Sequence, residues 1–594
     1  MAPRVLRRRP RALLIACAAA LLLLAIARSP SAGPKRTWTA ASPGGTVTAT
    51  VGSRAGAYEL AVTRGGRRLL TASLGLTGAP DGPAAQDTVH DTYVTPAGKR
   101  RRHELAARRL TLQVSRGRRL EVLVADDGVA FRQTGAGSQD AAWSAPTGAR
   151  AWLQSYRPDY EGPYRPFELR SAQPGEYGFP ALLDTGAGAW ALLTESGVTR
   201  EAAARLTVSG GRPGVLGVVL PKGEASPETT PWRVAVVGDL ATVVGSDLPL
   251  SLGGPSAISD TSWIRPGRAA WSWWSDANSP GDASRQRVMV RAASAYRWEY
   301  VLLDEGWNPQ DVPGIVRYGA GKGVRVMLWT AWDALRDPAQ RQRLFARWAS
   351  WGVAGVKVDF LLSDSAARMA VYEDIARDAA RYRLAVVFHG CTVPRGIQRR
   401  WPNVLSMEAV EGTEREIPSQ GAETMDPRQD VNLVFTRNVV GSMDYTPVTF
   451  SAQHRDSTEA HRLALAVAFE SGVQHFADTP ESYAAHVEAA RTLADVPAAW
   501  DDTRLLAGGP DHEAVVARRS GDRWWVASIT ATGAHVQTAD LGFLQAGRNY
   551  RLHLVRDDGH GGLAAEDRTV TSHDRLSVAV ERNGGYVAEL VPIA

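Results

Sequence analysis

The amino-acid sequence predicts a multidomain chain of α/β plus all-β character: an N-terminal β-sandwich, a central (β/α)8 TIM barrel and a C-terminal antiparallel β-domain. Three observations predict it. From about residue 36 to 262, short apolar runs are separated by Gly, Pro, Asp and Arg-Gly turns, the pattern of antiparallel strands. Near Ile264-Arg265-Pro266-Gly267-Arg268 the rhythm changes, and apolar strands begin to alternate with amphipathic segments of helix length. After Val496-Pro497 the helices fade and strand-like pieces return. A length of 594 residues accommodates several such units, one of them a large barrel. The predicted bounds are 1–32 for an export signal, 33–264, 265–496 and 497–594.

Residues 1–32 have an Arg-rich start, an apolar run from Ala12 to Ala27 and small residues from Ser29 to Gly33, which predicts a secretory signal. An uncleaved N-terminal anchor and a lipoprotein box at Leu14-Ile15-Ala16-Cys17 are the alternatives. Within the sandwich, Thr46–Val51, Leu110–Val114 and Trp190–Glu195 read as strands. The barrel strands are predicted at Ala269–Trp274, Tyr300–Leu303, Val324–Trp329, Gly355–Val358, Leu384–Phe388, Val404–Met407, Leu433–Thr436 and Val473–Ala477. In the last domain the strands are Ala514–Arg518, Arg523–Ser528 and Tyr586–Val591.

The composition, 44% hydrophobic and 22% charged, excludes a disordered chain and a polytopic membrane protein. A net charge of +6 invites a polyanion partner. Yet Arg4, Arg7, Arg8, Arg9, Arg11 and Arg28 all lie in the signal, and the 62 basic residues that remain of 68 match the 62 acidic ones. Export would leave a neutral chain, so no nucleic-acid partner and no stable membrane association are expected. Cys17 and Cys391 are the only cysteines, and no disulfide would survive cleavage. Cys391 reads as a small buried strand-end residue, with a nucleophilic thiol as the alternative.

Active sites of such barrels lie where the strands end at their C-terminal face. There the sequence places Trp271-Ser-Trp-Trp274, Asp304-Glu-Gly-Trp307, Trp329, Lys357-Val-Asp359, His389, Glu408 to Glu414, Arg437, Asp444 and Asp478. Aromatic faces stack on pyranose C–H faces while carboxylates accept from hydroxyls, so the cluster points to sugar. Trp271, Trp274, Asp304, Trp307, Trp329, Lys357, His389 and Arg437 are the candidate substrate contacts. Lys357 and Asp359 share a strand face, and a cation there favours an ionised carboxylate, as a nucleophile requires. Read alone, Asp359 could equally cap the helix that follows. Glu408, Glu411 and Glu414 could bind a hard cation, supply a general acid or form a solvated turn. His389 lacks a second His at ligand spacing and reads as a contact to a substrate hydroxyl.

These residues resemble glycoside hydrolase family 97, a group of largely bacterial α-glycosidases. The resemblance rests on Trp271-Ser-Trp-Trp274, Asp304-Glu-Gly-Trp307, Gly355-Val-Lys-Val-Asp-Phe360, Phe388-His-Gly390, Pro394 to Asn403 leading to Glu408, Thr436-Arg437 with Met443-Asp-Tyr-Thr-Pro447, and Pro497 to Arg504. It implies an N-terminal β-supersandwich ahead of the barrel and the C-terminal β-domain. The family's inverting members carry a Glu base directly after the His of the fifth strand, and its retaining members an Asp nucleophile ending the fourth. Gly390 and Asp359 make this sequence similar to the retaining branch, with Glu414 as acid/base and α-galactosidase as the first-choice activity. α-Glucosidase and β-L-arabinopyranosidase are the alternatives within the family, and a non-catalytic carbohydrate-binding barrel is the alternative outside it. The resemblance also implies calcium, with Glu195 and Glu408 matching two ligands and Gly390 standing where inverting members have a third. The expected partner is an oligosaccharide or simple glycoside, met outside the cell.

Overall fold

The computed structural model describes residues 36–135, 140–417, 419 and 421–593. The predicted export signal and Cys17 lie outside them. Among the described residues no helix is long and apolar enough to cross a membrane.

Sixteen strands between Arg36 and Gly238 form one antiparallel sheet. Alternation places them: along Val47–Arg54, Val47, Ala49 and Val51 are buried while the intervening side chains face outward. The sheet curls until its ends meet, with Arg36–Ala41 packed on Arg102–Val114 and Gln86 Nε2 donating to Thr39 O at 3.0 Å. Curling of this kind hides the edges that an open sheet would expose.

Seven parallel strands form the barrel: Gly267–Trp271, Tyr300–Leu303, Arg325–Ala331, Gly355–Asp359, Ala385–Phe388, Val404–Met407 and Val473–Phe476. The first pairs with the last at Ala269 and His475. Tyr300 to Leu303 are buried on both faces, as a parallel strand covered by helices outside and side chains inside must be.

The predicted strand Leu433–Thr436 is instead the end of a helix, Pro427–Phe435. Asp426 caps it by accepting from Arg428 N, with Pro427 in its first turn, so the start signal stood seven residues before Leu433. Nearly every residue of this helix is buried, which erases the amphipathic period that separates helix from strand. The vacant barrel position is met by Met443, which bridges Met407 in parallel, while Asp444 N donates to Met407 O at 2.9 Å. The first strand also stops earlier than predicted, at Trp271, and Trp273 to Ser275 form a turn.

The last domain is a six-stranded antiparallel sheet with a two-stranded companion. The helix Glu459–Ala468 packs against it, and Arg518 donates to Val467 O at 2.7 Å and Ala468 O at 2.8 Å.

Candidate active site

The fourth strand carries the centre of the site. Lys357 and Asp359 are two residues apart and so face the barrel mouth together. Lys357 Nζ lies 3.3 Å from Asp304 Oδ2, 3.6 Å from Glu414 Oε1 and 4.6 Å from the centre of the Trp271 ring. Burial works against its charge, but Asp304, Glu414, Asp359 and Asp444 outweigh burial and hold the ammonium far above its ordinary range. Lys357 is a fixed positive charge under the mouth.

Asp359 is oriented by its neighbours. Trp329, on the adjacent strand, donates from Nε1 to Oδ2 at 3.0 Å, and Phe360 N donates to Oδ1 at 2.5 Å. Gly390 lies against the same carboxyl. A Cβ on residue 390 would sit 3.0 Å from Asp359 Oδ1 and 3.0 Å from Phe360 N, and the φ of +47° is itself costly for a residue with a side chain. A side chain at 390 would crowd the Asp359 carboxyl.

His389 stands between the carboxyls. Its Nδ1 lies 3.0 Å from Glu408 Oε2 and 3.6 Å from Asp359 Oδ2, and its Nε2 lies 3.4 Å from Glu414 Oε1 and 3.7 Å from Asp444 Oδ2. Burial opposes the imidazolium, yet Glu408, Glu414 and Asp359 together push the ring well above its usual value against the repulsion of Lys357. Glu414 Oε1 and His389 Nε2 are both buried without a hydrogen-bond partner, so polar capacity is left unsatisfied where a substrate would enter. Burial raises Glu408 to about 7 against the pull of His389. Asp444 is held below its ordinary value because His475, His389 and Lys357 outweigh its burial.

The remaining predicted contacts divide by exposure. Trp307 and Trp329 are partly exposed, and Trp307 Nε1 donates to Trp329 O at 2.8 Å. Trp271 and Trp274 are enclosed: Trp271 donates to Asp304 Oδ2 at 2.7 Å and Trp274 to Thr413 O at 2.8 Å. The partly exposed Trp273 stacks on Trp271 with ring centres 6.2 Å apart. Arg437 is fully buried with its donors on the carbonyls of Met407, Glu408, Gly441 and Ser442, so it shapes the loop carrying Glu408 and offers nothing to a sugar. Cys391 is buried and donates to Phe388 O at 3.3 Å, in keeping with a packed strand-end residue. Glu411 pairs with Arg415 at 3.7 Å.

The expected cation ligands divide too. Glu195 is fully buried, with Oε1 on Arg233 and Oε2 on Arg395 at 2.6 Å and on Ala204 N at 2.9 Å. His389, Glu408 and Glu414 form a group whose ligand atoms lie within 4.8 Å of one another. The N-terminal domain adds a carboxyl that sequence reasoning missed. Glu161 is pushed up to about 10 by burial, then by the charges of Glu408, Asp159 and Glu414, against the pull of His389. The left-handed φ of +61° at Tyr160, which no sequence pattern announced, turns the chain there.

A parallel barrel that gathers aromatic rings and carboxyls at its strand ends is the framework of a carbohydrate-cleaving enzyme. Family models agree: "Glycoside hydrolase 97" matches residues 263–410, its N-terminal domain 40–255, and its C-terminal domain, described as oligomerisation, 499–591. The chain belongs to glycoside hydrolase family 97 and is a glycoside hydrolase. It is 37% identical to a probable retaining alpha-galactosidase of Streptomyces bingchenggensis, over 98% of this chain and 97% of that one. It is 33% identical to a retaining alpha-galactosidase of Bacteroides thetaiotaomicron over 61% of this chain and 60% of that one. Among solved structures, a beta-arabinopyranosidase superposes with a TM-score of 0.84 at 27% identity, covering 93% of this chain and 100% of that one. A family 97 enzyme from Pseudoalteromonas sp. strain K8 in complex with acarbose gives 0.84 at 21% identity, over 94% and 100%, which shows the shared fold.

Proposed function

We propose that this protein is an exported, exo-acting, retaining α-galactosidase that works through a glycosyl-aspartate intermediate. One observation carries the mechanism: a Cβ on residue 390 would lie 3.0 Å from Asp359 Oδ1 at a φ of +47°, so a side chain at 390 would crowd the Asp359 carboxylate. Asp359 attacks the anomeric carbon while Glu414 protonates the departing oxygen. Glu414 then deprotonates the water that releases the sugar. The Trp329 indole, 3.0 Å from Asp359 Oδ2, orients the nucleophile, and Lys357 lies two residues before it on the same strand.

Two relatives named retaining alpha-galactosidase support galactose. The beta-arabinopyranosidase neighbour supports β-L-arabinopyranose as the second reading, since that sugar differs from an α-D-galactoside only by lacking the hydroxymethyl group. A panel of 4-nitrophenyl glycosides tests the choice. The α-D-galactoside should have the highest kcat/KM; a higher value for the arabinoside or α-glucoside would reassign the sugar.

Calcium would draw on the carboxyl oxygens of Glu408, which lies in the His389–Glu408–Glu414 group and matches a ligand position of the family. Bound there, a hard cation would polarise a substrate hydroxyl. Calcium should raise the melting temperature of chelator-treated protein and restore its activity; an unchanged melt with full activity after EGTA would remove the ion from this account. Export predicts a mature N-terminus after residue 27 to 32, and N-terminal sequencing that finds Met1 or a lipidated Cys17 would contradict it.

A further inference from the structure

The loop that follows the nucleophile is held in a conformation it would not choose alone. Phe360 and Leu362 have φ of +61° and +41°, in the left-handed region that bulky side chains avoid. Both are exposed, and they make up two of the six exposed large apolar side chains among the described residues. Strain and exposure together persist only where the surroundings over-determine the backbone. Leu362 N donates to Gly390 O at 2.8 Å, and the guanidinium of Arg368 donates to Leu361 O, which fix the middle of the loop.

The far end is fixed by the N-terminal domain. Asp364 Oδ2 accepts from the Tyr160 hydroxyl at 2.7 Å, and Asp364 O accepts from Ala203 N at 2.9 Å. The same hydroxyl accepts from Arg395 at 2.7 Å, and Arg395 also donates to Glu195. Gly197 N donates to Arg395 O at 3.0 Å. Tyr160, Glu195, Asp364 and Arg395 are all buried. With Arg233 on Glu195, two guanidinium charges balance two carboxylates. A buried ionic network of this kind adds little stability over an apolar packing of the same volume, so its value lies in fixing position.

We propose that the Glu195–Arg395–Tyr160–Asp364 network is a positioning device through which the N-terminal domain sets the geometry of the Asp359 loop. The four are positioning residues: they act on the substrate through Asp359. This inference rests on the nucleophile assignment above. Tyr160 is the residue to remove, because Tyr160→Phe keeps the ring and deletes only the hydroxyl joining Asp364 to Arg395.

The test is a double-mutant cycle with azide. Tyr160→Phe should lower kcat about tenfold with KM changed less than about twofold, as expected when attack geometry rather than binding is lost. In Asp359→Gly enzyme rescued by azide, the attacking group is no longer carried by the loop, and adding Tyr160→Phe should change the azide-dependent rate by less than about twofold. Asp364→Asn, which still accepts from Tyr160, should lose less than Asp364→Ala, and it serves if Tyr160→Phe does not fold. Equal losses in the wild-type and azide-rescued backgrounds, or no loss in either, would overturn the proposal. Absence of azide rescue altogether would remove the nucleophile assignment and this inference with it.

Discussion

The Trp329 indole donates to Asp359 Oδ2 at 3.0 Å, across the register that pairs the third and fourth barrel strands. With Phe360 N on the other oxygen, the carboxylate is presented in one orientation. A hydrogen bond to a charged group is worth about 1.5–3 kcal/mol. Trp329→Phe should therefore lower kcat/KM roughly 10- to 100-fold, if the bond is kept for the transition state. Steady-state kinetics on one aryl galactoside checks this, and an unchanged value would show that Asp359 does not depend on the indole.

Glu414 has one carboxyl oxygen buried without a hydrogen-bond partner, 3.4 Å from His389 Nε2 and 3.6 Å from Lys357 Nζ, and the proposed function gives it the leaving-group proton. Glu414→Gln should slow alkyl galactosides far more than dinitrophenyl galactosides, because an acidic leaving group departs without protonation. Equal losses across a series of leaving groups would assign the protonation to another residue, with Glu411 the next to test.

Strand ends were legible because a parallel barrel makes chemistry and sequence coincide. Val353 to Phe360 is an apolar run closed by Lys357 and Asp359, and the structure puts both in the mouth. The surroundings of Glu195 and Arg437 were not legible: a charged residue at a strand or helix end looks the same in sequence whether it faces substrate or buried counter-charges. The structure gives Glu195 to two arginines and Arg437 to four carbonyls. Glu161 was hidden because the influence of Glu408 on its carboxyl acts between segments almost 250 residues apart in sequence. The seventh strand failed where burial on every side removed periodicity from Pro427–Phe435.

Asp247 ties the N-terminal domain together by accepting from Arg100 at 2.6 Å and from His103 Nδ1 at 3.2 Å. Burial alone would raise its carboxyl, but His103, Arg100 and Lys99 outweigh burial and hold it well below the usual range. A depressed folded-state value means that the stabilisation is present above the unfolded value of about 3.9 and is lost as pH falls below it. The Arg100–Asp247 pair is partly buried, and Asp247→Asn should melt below wild type at pH 7. The gap between the two proteins should narrow as pH is lowered from 5 toward 2. Thermal melts at stepped pH check this, and a constant gap would show that the charge of Asp247 is not what stabilises the domain.

The most direct test of the central claim is proton NMR of the sugar first released from an α-galactoside, recorded before mutarotation mixes the anomers. Double displacement through Asp359 predicts that α-galactopyranose appears first, with the β-anomer growing in later. Initial release of β-galactopyranose would require a single displacement by water, and the assignment of Asp359 as nucleophile would fail.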